Sequence, residues 1–213
     1  GQGTNWQDEV FNNNAPMMNH QVSVSGASEK VNYLFSLGFY TQDGIVGGNF
    51  DRSNYERLTL RSNTQYTLFD ESKERNWLNS LKVTSNLSYA RIKSTNFDDN
   101  STWGTPLGSA LALSPILNVY DETEEAIKAQ FDKYGTTAEY TPVYDPRNGK
   151  LFSIPGEFGE MSNPIAKLSL PGDKHWSHKF VANFSAELQL WDNLKFKTSY
   201  GADLSFWGYD SYR

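Results

Sequence analysis

The feature of this sequence that most constrains its fold is a regular alternation of apolar and polar residues along several segments. In the segment VNYLFSLGF, residues 31–39, the odd positions are apolar or aromatic: Val31, Tyr33, Phe35, Leu37 and Phe39. Successive side chains of a β-strand point to opposite faces, so this pattern predicts a strand with one apolar face. Six segments alternate in this way and predict strands at about residues 21–25, 31–41, 55–68, 81–91, 180–190 and 194–207.

The links between these predicted strands alternate between short and long. Strands one and two, three and four, and five and six are joined by short polar links, whereas the link between four and five covers about residues 94–178. Tight turns at one end and large loops at the other are typical of outer-membrane barrels. The sequence therefore predicts an all-β fold, an antiparallel up-and-down transmembrane β-barrel segment with one long extracellular loop. Because the smallest such barrels have about eight strands, we expect the segment to be part of a larger barrel.

Aromatic residues support this prediction, because they gather at both ends of the predicted strands, as they do at the two interfaces of a bilayer. Strand parity then separates a lipid-facing set of side chains from an inward-facing set. The predicted outward set is Leu37, Leu60, Leu87, Phe184 and Tyr200, and the predicted inward set is Ser36, Arg61, Asn86, Ser185 and Ser199.

Composition excludes several other classes of protein. The 213 residues carry a net charge of -6 with scattered basic residues, so nucleic acid is not an expected partner. The absence of cysteine removes disulfides and thiolate metal sites. No apolar run approaches the roughly 18 residues of a membrane-spanning helix.

Enzyme chemistry has little support in the sequence. Glu124 and Glu125 lie in DETEEAIKAQFDKY, whose spacing predicts a short amphipathic helix with solvated carboxylates. His175 and His178 have a spacing that can bind metal, but no third ligand is evident. The DPRNG stretch at residues 145–149 predicts a turn and not a calcium loop. We therefore predict no catalytic residues, no metal site and no cofactor.

Aromatic residues of the long predicted loop are the candidates for substrate contact. Flat rings stack on the apolar faces of sugars and peptides, although packing within the loop is an alternative role for each of them. The candidates are Trp103, Tyr120, Tyr140, Tyr144 and Trp176.

Several segments of the sequence resemble one known family. They are NWQDEVF, APMMNHQVSVSGASEKVNYLFSLGFYTQDGIV and YERLTLRSN, followed by SNLSYAR, SPILNVYD, TPVYDPRNG, SNPIAKL and LKFKTSYGADLS. The family that they resemble is the SusC/RagA family of TonB-linked outer-membrane transporters of Bacteroidetes. The most specific match is around NHQVSVSGASEKVNY, where Ala27 stands at a turn position at which the family often has glycine.

The resemblance implies an outer-membrane protein that imports oligosaccharides or peptides with energy delivered through the TonB complex. It also implies two further partners, a SusD-like lipoprotein that closes over the barrel and the outer-membrane lipid around it. By comparison with the family, the plug domain and the remaining barrel strands are expected to lie outside this sequence. The alternative left open is a secreted, soluble β-sandwich that binds or cleaves carbohydrate.

Overall fold

The strands form a single antiparallel sheet in which each strand pairs with the next one along the chain. The computed structural model describes residues 3–70, 77–97, 104–121, 123–134, 141–156 and 161–211. The sheet has six strands in the order β1 to β6, which confirms the predicted all-β, up-and-down fold. The strands are β1 (Met17–Ala27), β2 (Val31–Asp43), β3 (Asn54–Phe69), β4 (Ser80–Asn96), β5 (Asp173–Trp191) and β6 (Leu194–Asp210).

A β-sandwich needs a second sheet packed against the first. Within the described ranges there is one sheet only, and its large apolar side chains are not covered by another layer. The alternative prediction of a β-sandwich is therefore wrong for the part of the chain that the structure describes.

Short helices lie outside the sheet. They are α1 (Trp6–Val10), α2 (Pro106–Ala112), α3 (Glu124–Tyr134) and α4 (Pro164–Ser169). The helix predicted around Glu124 is present as α3, and the backbone N–H of Ala126 donates to the Thr123 hydroxyl at its start, at 3.1 Å. Sequence patterning did not predict α1, which is too short to show a helical period.

β4 and β5 extend well into the segment that the sequence predicts to be a loop. Residues 92–96 of β4 pair with residues 173–177 of β5, so the connection covers residues 97–172 and not 94–178. Period-2 patterning misses these ends because most of their residues are polar and do not alternate with apolar ones, whereas backbone hydrogen bonding between strands needs no apolar side chain. Trp176 is therefore a strand residue, and its predicted place in the loop is wrong.

The register confirms the predicted separation of the two faces. Leu37 lies opposite Leu60, and Ser62, two residues further along β3, lies opposite Leu87. Directly opposite residues share a face, as do residues two apart, so the whole predicted outward set lies on one face. The side chains of that set are 41 to 70% exposed, and we call this the apolar face. The members of the predicted inward set all lie on the other side, which we call the polar face.

The buried hydrophobic core lies beyond the sheet and not on it. Its central members come from α1, α2, α4 and the connections between them: Trp6, Val10, Ala110, Leu113, Val119, Phe152, Ile165 and Leu168. No helix among the described residues is both long and apolar enough to cross a membrane. The sheet thus keeps its large apolar side chains exposed, while the segments at one of its ends fold around a core of their own.

Candidate functional site

The candidate site is a folded cap at the end of the sheet where the long connections emerge. We call this end the loop end, and we call the described parts of residues 3–16, 44–53 and 97–172 the loop cap. The Trp6 indole N–H donates to the Ser114 carbonyl at 3.0 Å, which joins the first segment to the third. The backbone N–H groups of Gly47 and Gly48 both donate to the Val10 carbonyl at 2.9 Å, which joins the first segment to the second. These bonds close the segments over the buried core.

Asp145 is the polar centre of the loop cap. Its side chain is fully buried and receives a fork of hydrogen bonds from Arg147, whose Nε donates to Oδ1 at 3.0 Å and whose Nη2 donates to Oδ2 at 2.7 Å. The Arg147 backbone N–H donates to Oδ1 at 2.8 Å, and the Tyr120 hydroxyl donates to Oδ2 at 2.7 Å. A buried carboxylate is tolerated only with such partners, so this arrangement fixes the turn at residues 145–149.

The electrostatics of the group follow from these contacts. The hydrogen bonds from the Arg147 side chain outweigh the cost of burial and lower the pKa of Asp145 from 3.8 to about 2. The same pairing raises the pKa of Arg147. Burial and the bond to Asp145 raise the pKa of the Tyr120 hydroxyl. Asp145 is thus a fixed anion at neutral pH, and Tyr120 is a neutral donor.

Arg147 also connects this turn to the β2–β3 connection. Its Nη1 donates to the Gly48 carbonyl at 2.9 Å, and its guanidinium carbon lies 3.9 Å from the centroid of the Phe50 ring. Gly48 has a φ of +58°, a conformation that side chains with a Cβ rarely adopt, and a Cβ at this position would lie 3.2 Å from Leu168. The geometry of the contact between Arg147 and Gly48 therefore explains why arginine and glycine stand at its two ends.

A second arginine and an asparagine attach α4 to the rest of the cap. Arg52 donates through Nε to the Leu168 carbonyl at 2.7 Å and through Nη2 to the Ser169 carbonyl at 2.8 Å, at the last turn of the helix. Asn163 caps the first turn, because its Oδ1 accepts from the backbone N–H of Ile165 at 3.0 Å. Its Nδ2 donates to the Val119 carbonyl at 2.9 Å. Both ends of α4 are held by side chains from outside the helix.

The structure does not bring the predicted substrate-contact residues together. Tyr120 is part of the Asp145 cluster, and its ring stacks on Phe152 with centroids 5.3 Å apart. Tyr144 is exposed in an isolated bridge to Leu151. Trp176 lies on β5, on the apolar face, in edge-to-face contact with His178 at 5.6 Å.

The remaining site predictions fall partly outside the described residues. Trp103 and Tyr140 both lie there. His175 and His178 are on opposite faces of β5, because they are three residues apart in a strand, so they cannot hold one metal ion together. No cluster of three or more histidine or acidic side chains suited to a metal occurs in the described ranges.

Sequence reasoning did not anticipate the roles of Asp145, Arg147 and Arg52. The signal available for the first two was the DPR stretch, in which an aspartate precedes an arginine by two residues within a turn. Aspartate commonly bonds the backbone two residues ahead in such turns. Nothing local predicts the contacts of Arg52, which reach residues 116 and 117 positions away.

The polar face carries a row of amide side chains and an ion pair. Asn63, Asn86 and Asn183 lie directly opposite one another across β3, β4 and β5. On neighbouring β6, the Asp203 carboxylate lies 3.3 Å from the Lys179 ammonium group. This side of the sheet is suited to water or to polar molecules, and the other side is suited to an apolar medium.

Curated relatives match nearly the whole chain. The chain is 28% identical over 193 residues to the TonB-dependent receptor SusC of Bacteroides thetaiotaomicron. The aligned segment covers 88% of the chain and 16% of the relative. It is 32% identical over 170 residues to the TonB-dependent receptor P26 of Formosa agariphila, which covers 80% of the chain and 13% of the relative. The resemblance predicted from the sequence is confirmed. No family model matches the chain.

Solved structures give the same result for the fold. The chain aligns with the RagAB peptide importer in its open-open state with a TM-score of 0.61, at 21% identity, over 97% of the chain and 19% of the solved chain. The closed-closed state gives a TM-score of 0.60 at 22% identity over the same shares. An open six-stranded sheet that covers a fifth of such a chain fits a fragment of its β-barrel.

Proposed function

We propose that this chain forms part of the barrel wall of an outer-membrane TonB-dependent transporter that imports oligosaccharides or peptides. The observation that carries the proposal is the pairing of an exposed apolar face with a polar face on one continuous sheet. A transmembrane barrel wall needs this arrangement, because one face meets lipid and the other meets a polar lumen. Similarity to receptors named SusC and P26 supports it.

The outer edges of β1 and β6 support a larger barrel. Within the described residues, neither edge has a strand partner on its outer side. Unpaired backbone groups in hydrocarbon each cost several kcal/mol, so a membrane-embedded sheet has to close. We propose that strands outside this sequence complete the barrel and that a plug domain outside it contacts TonB. The chain spans 13 to 16% of the length of the curated relatives described above.

The loop cap is proposed as the extracellular part of the wall. Its buried core suits it to support a SusD-like lipoprotein or to frame the entrance for substrate. Tyr120 and Tyr144 remain proposed contact residues, and of these two the ring of Tyr144 is the more exposed. Trp103 and Tyr140 stay predictions outside the described residues, and Trp176 lies on the face that we propose meets lipid. We propose no covalent chemistry for the chain.

Single cysteines on the two faces test the orientation of the wall. The sequence has no cysteine of its own, so a spin label can be placed at Leu87 on the apolar face or at Asn86 on the polar face. In the full-length protein reconstituted in lipid, the label at 87 should be relaxed by oxygen, and the label at 86 by a water-soluble nickel chelate. Equal access of the nickel chelate to both sites would refute the membrane wall.

Uptake by cells tests the activity. Cells that express the full-length protein should accumulate a fluorescent oligosaccharide or a fluorescent peptide of similar size, and a protonophore that removes the energy for TonB should abolish accumulation. If accumulation of either probe continues without that energy, TonB-dependent import by this protein is wrong.

A further inference from the structure

The apolar face changes character as it approaches the loop end. Leu60 and Phe180 belong to a fully apolar row of the register, whereas the next row towards the loop end contains Arg91 and His178 directly opposite each other. One row further, Lys93 lies opposite Trp176. These four residues form a compact group on adjacent strands, which we call the cation block.

The geometry of the cation block leaves its donors available. Within the described part of the chain, no ion pair or hydrogen bond of the Arg91 or Lys93 side chain is present. His178 bonds the Tyr89 hydroxyl through Nδ1 at 2.8 Å, and its Nε2 has no hydrogen bond among the described residues. Three nitrogen-bearing side chains therefore converge on one patch of the surface.

Trp176 and Gly208 shape the side of this patch nearest β6. A Cβ on Gly208 would lie 2.6 Å from the Trp176 ring, so the indole lies flat across β6 where only glycine leaves room. An indole at the boundary between apolar and charged rows is typical of the headgroup level of a membrane. The rows of the register place the cation block at this same level.

Acidic groups lie close by, and their positions limit where an anion can bind. Glu56 is directly opposite Lys93 on β3, and a groove of about 640 Å³ above the block is lined by Asp43, Asp51, Glu56 and Asp210 as well as by Lys93. The lower half of the block has no such neighbour, because Arg91 and His178 are flanked by Leu58 and Phe206. The row of Arg91 and His178 therefore borders the apolar band, whereas Lys93 and Trp176 also line the groove.

We infer that the cation block binds the phosphate group of a phosphorylated lipid in the outer leaflet. This inference rests on the proposed membrane wall, since it places the apolar rows below the block in hydrocarbon. An acyl chain would lie over Leu60 and Phe180, while its phosphate meets the Arg91 guanidinium fork and the Lys93 ammonium group. Charge complementarity at the headgroup level selects an anionic lipid and not a zwitterionic one.

Native mass spectrometry of the detergent-solubilised full-length protein tests the inference with monophosphoryl lipid A as the probe. Each cation near an anionic headgroup contributes about fivefold in affinity, so the double variant R91Q/K93Q should bind this lipid about 25-fold more weakly. The matched control R57Q/K179Q removes two cations from the polar face and should bind it as the wild type does. The variant R91K/K93R keeps both charges and should retain most of the affinity.

Several outcomes would overturn the inference. R91Q/K93Q could bind monophosphoryl lipid A as tightly as the wild type does, or the dephosphorylated glycolipid could bind equally well. Millimolar inorganic phosphate could also displace the lipid, and the site would then be one for free phosphate. Circular dichroism of each variant establishes that the barrel is folded before binding is compared. If the label at Leu87 described above reports lipid while R91Q/K93Q binds normally, the lipid site is wrong and the membrane wall stands. If that label reports water, the wall itself is wrong.

Discussion

Replacement of Asp145 by asparagine should loosen the loop cap without unfolding the sheet. The substitution keeps the size of the side chain but removes the anion that receives the Arg147 fork and the Tyr120 hydroxyl. Asp145 is fully buried, so Arg147 cannot exchange it for another partner at the same place. We expect the effect to be local, because the described contacts of Asp145 are within the cap.

The magnitude follows from the pKa of Asp145. A fall from 3.8 to about 2 corresponds to about 2 kcal/mol of stabilisation of the folded cap at neutral pH. Because the folded-state pKa is lowered, this stabilisation is complete above about pH 4 and is lost as the pH falls through about 2. Asp145→Asn should therefore lose about 2 kcal/mol at pH 7 and show no further loss from this group in acid.

Amide hydrogen exchange of the full-length protein measures this directly. The N–H of Gly48 reports closure of the cap, since it donates to Val10 while its own carbonyl accepts from Arg147. A loss of about 2 kcal/mol should accelerate its exchange about 30-fold, whereas amides in the middle of β3 and β4 should be unchanged. Asp132→Asn, an exposed aspartate on α3, is the matched control and should leave Gly48 protected. If Asp145→Asn leaves the exchange rate of Gly48 within a factor of two, the buried cluster does not hold the cap closed.

Three further predictions concern the cap and the wall. Arg147→Lys keeps the charge but loses the fork and the stacking on Phe50, so it should cost about 1 kcal/mol in the same exchange measurement, and an unchanged rate would count against the fork. Ile165→Ala in the cap core should cost about 2 to 5 kcal/mol of cap stability, measured as faster proteolysis between residues 104 and 170. Leu170→Ala, at an exposed position, should have little effect, and equal effects of the two substitutions would contradict the assigned core. Leu87→Arg should weaken folding into lipid vesicles by about 2 to 4 kcal/mol in urea titrations, and Asn86→Arg should be tolerated, so similar losses in both would reverse the two faces.

Much of the sheet could be predicted because its physical cause is local. A strand between lipid and a polar lumen has to alternate along its length, and the run from Val31 to Phe39 shows this without reference to any other segment. The ends of β4 and β5 were missed, and Trp176 with them, because residues 92–96 and 173–177 are specified by pairing with each other. Their sequences carry no alternation of their own.

The loop cap could not be predicted, because its causes are distant in sequence. Trp6 and Ser114 are 108 positions apart, and Arg52 contacts Leu168 over a similar separation. Tyr120 is an aromatic residue of the kind that stacks on ligands, yet its hydroxyl donates a hydrogen bond to Asp145 within the cap. Such contacts decide which aromatic residues of a loop remain exposed. Residue type alone does not predict them.

The buried core of the loop cap also implies an order in which the parts of the chain fold. α1 packs against α2 and α4, which follow it by about a hundred residues or more, and the four strands β1 to β4 lie between α1 and α2 in the chain. Contacts of this separation become inexpensive in chain entropy only after the intervening strands have paired and brought the segments together. The cap should therefore form after β1 to β4, and its closure would report that these four strands have already reached their native register.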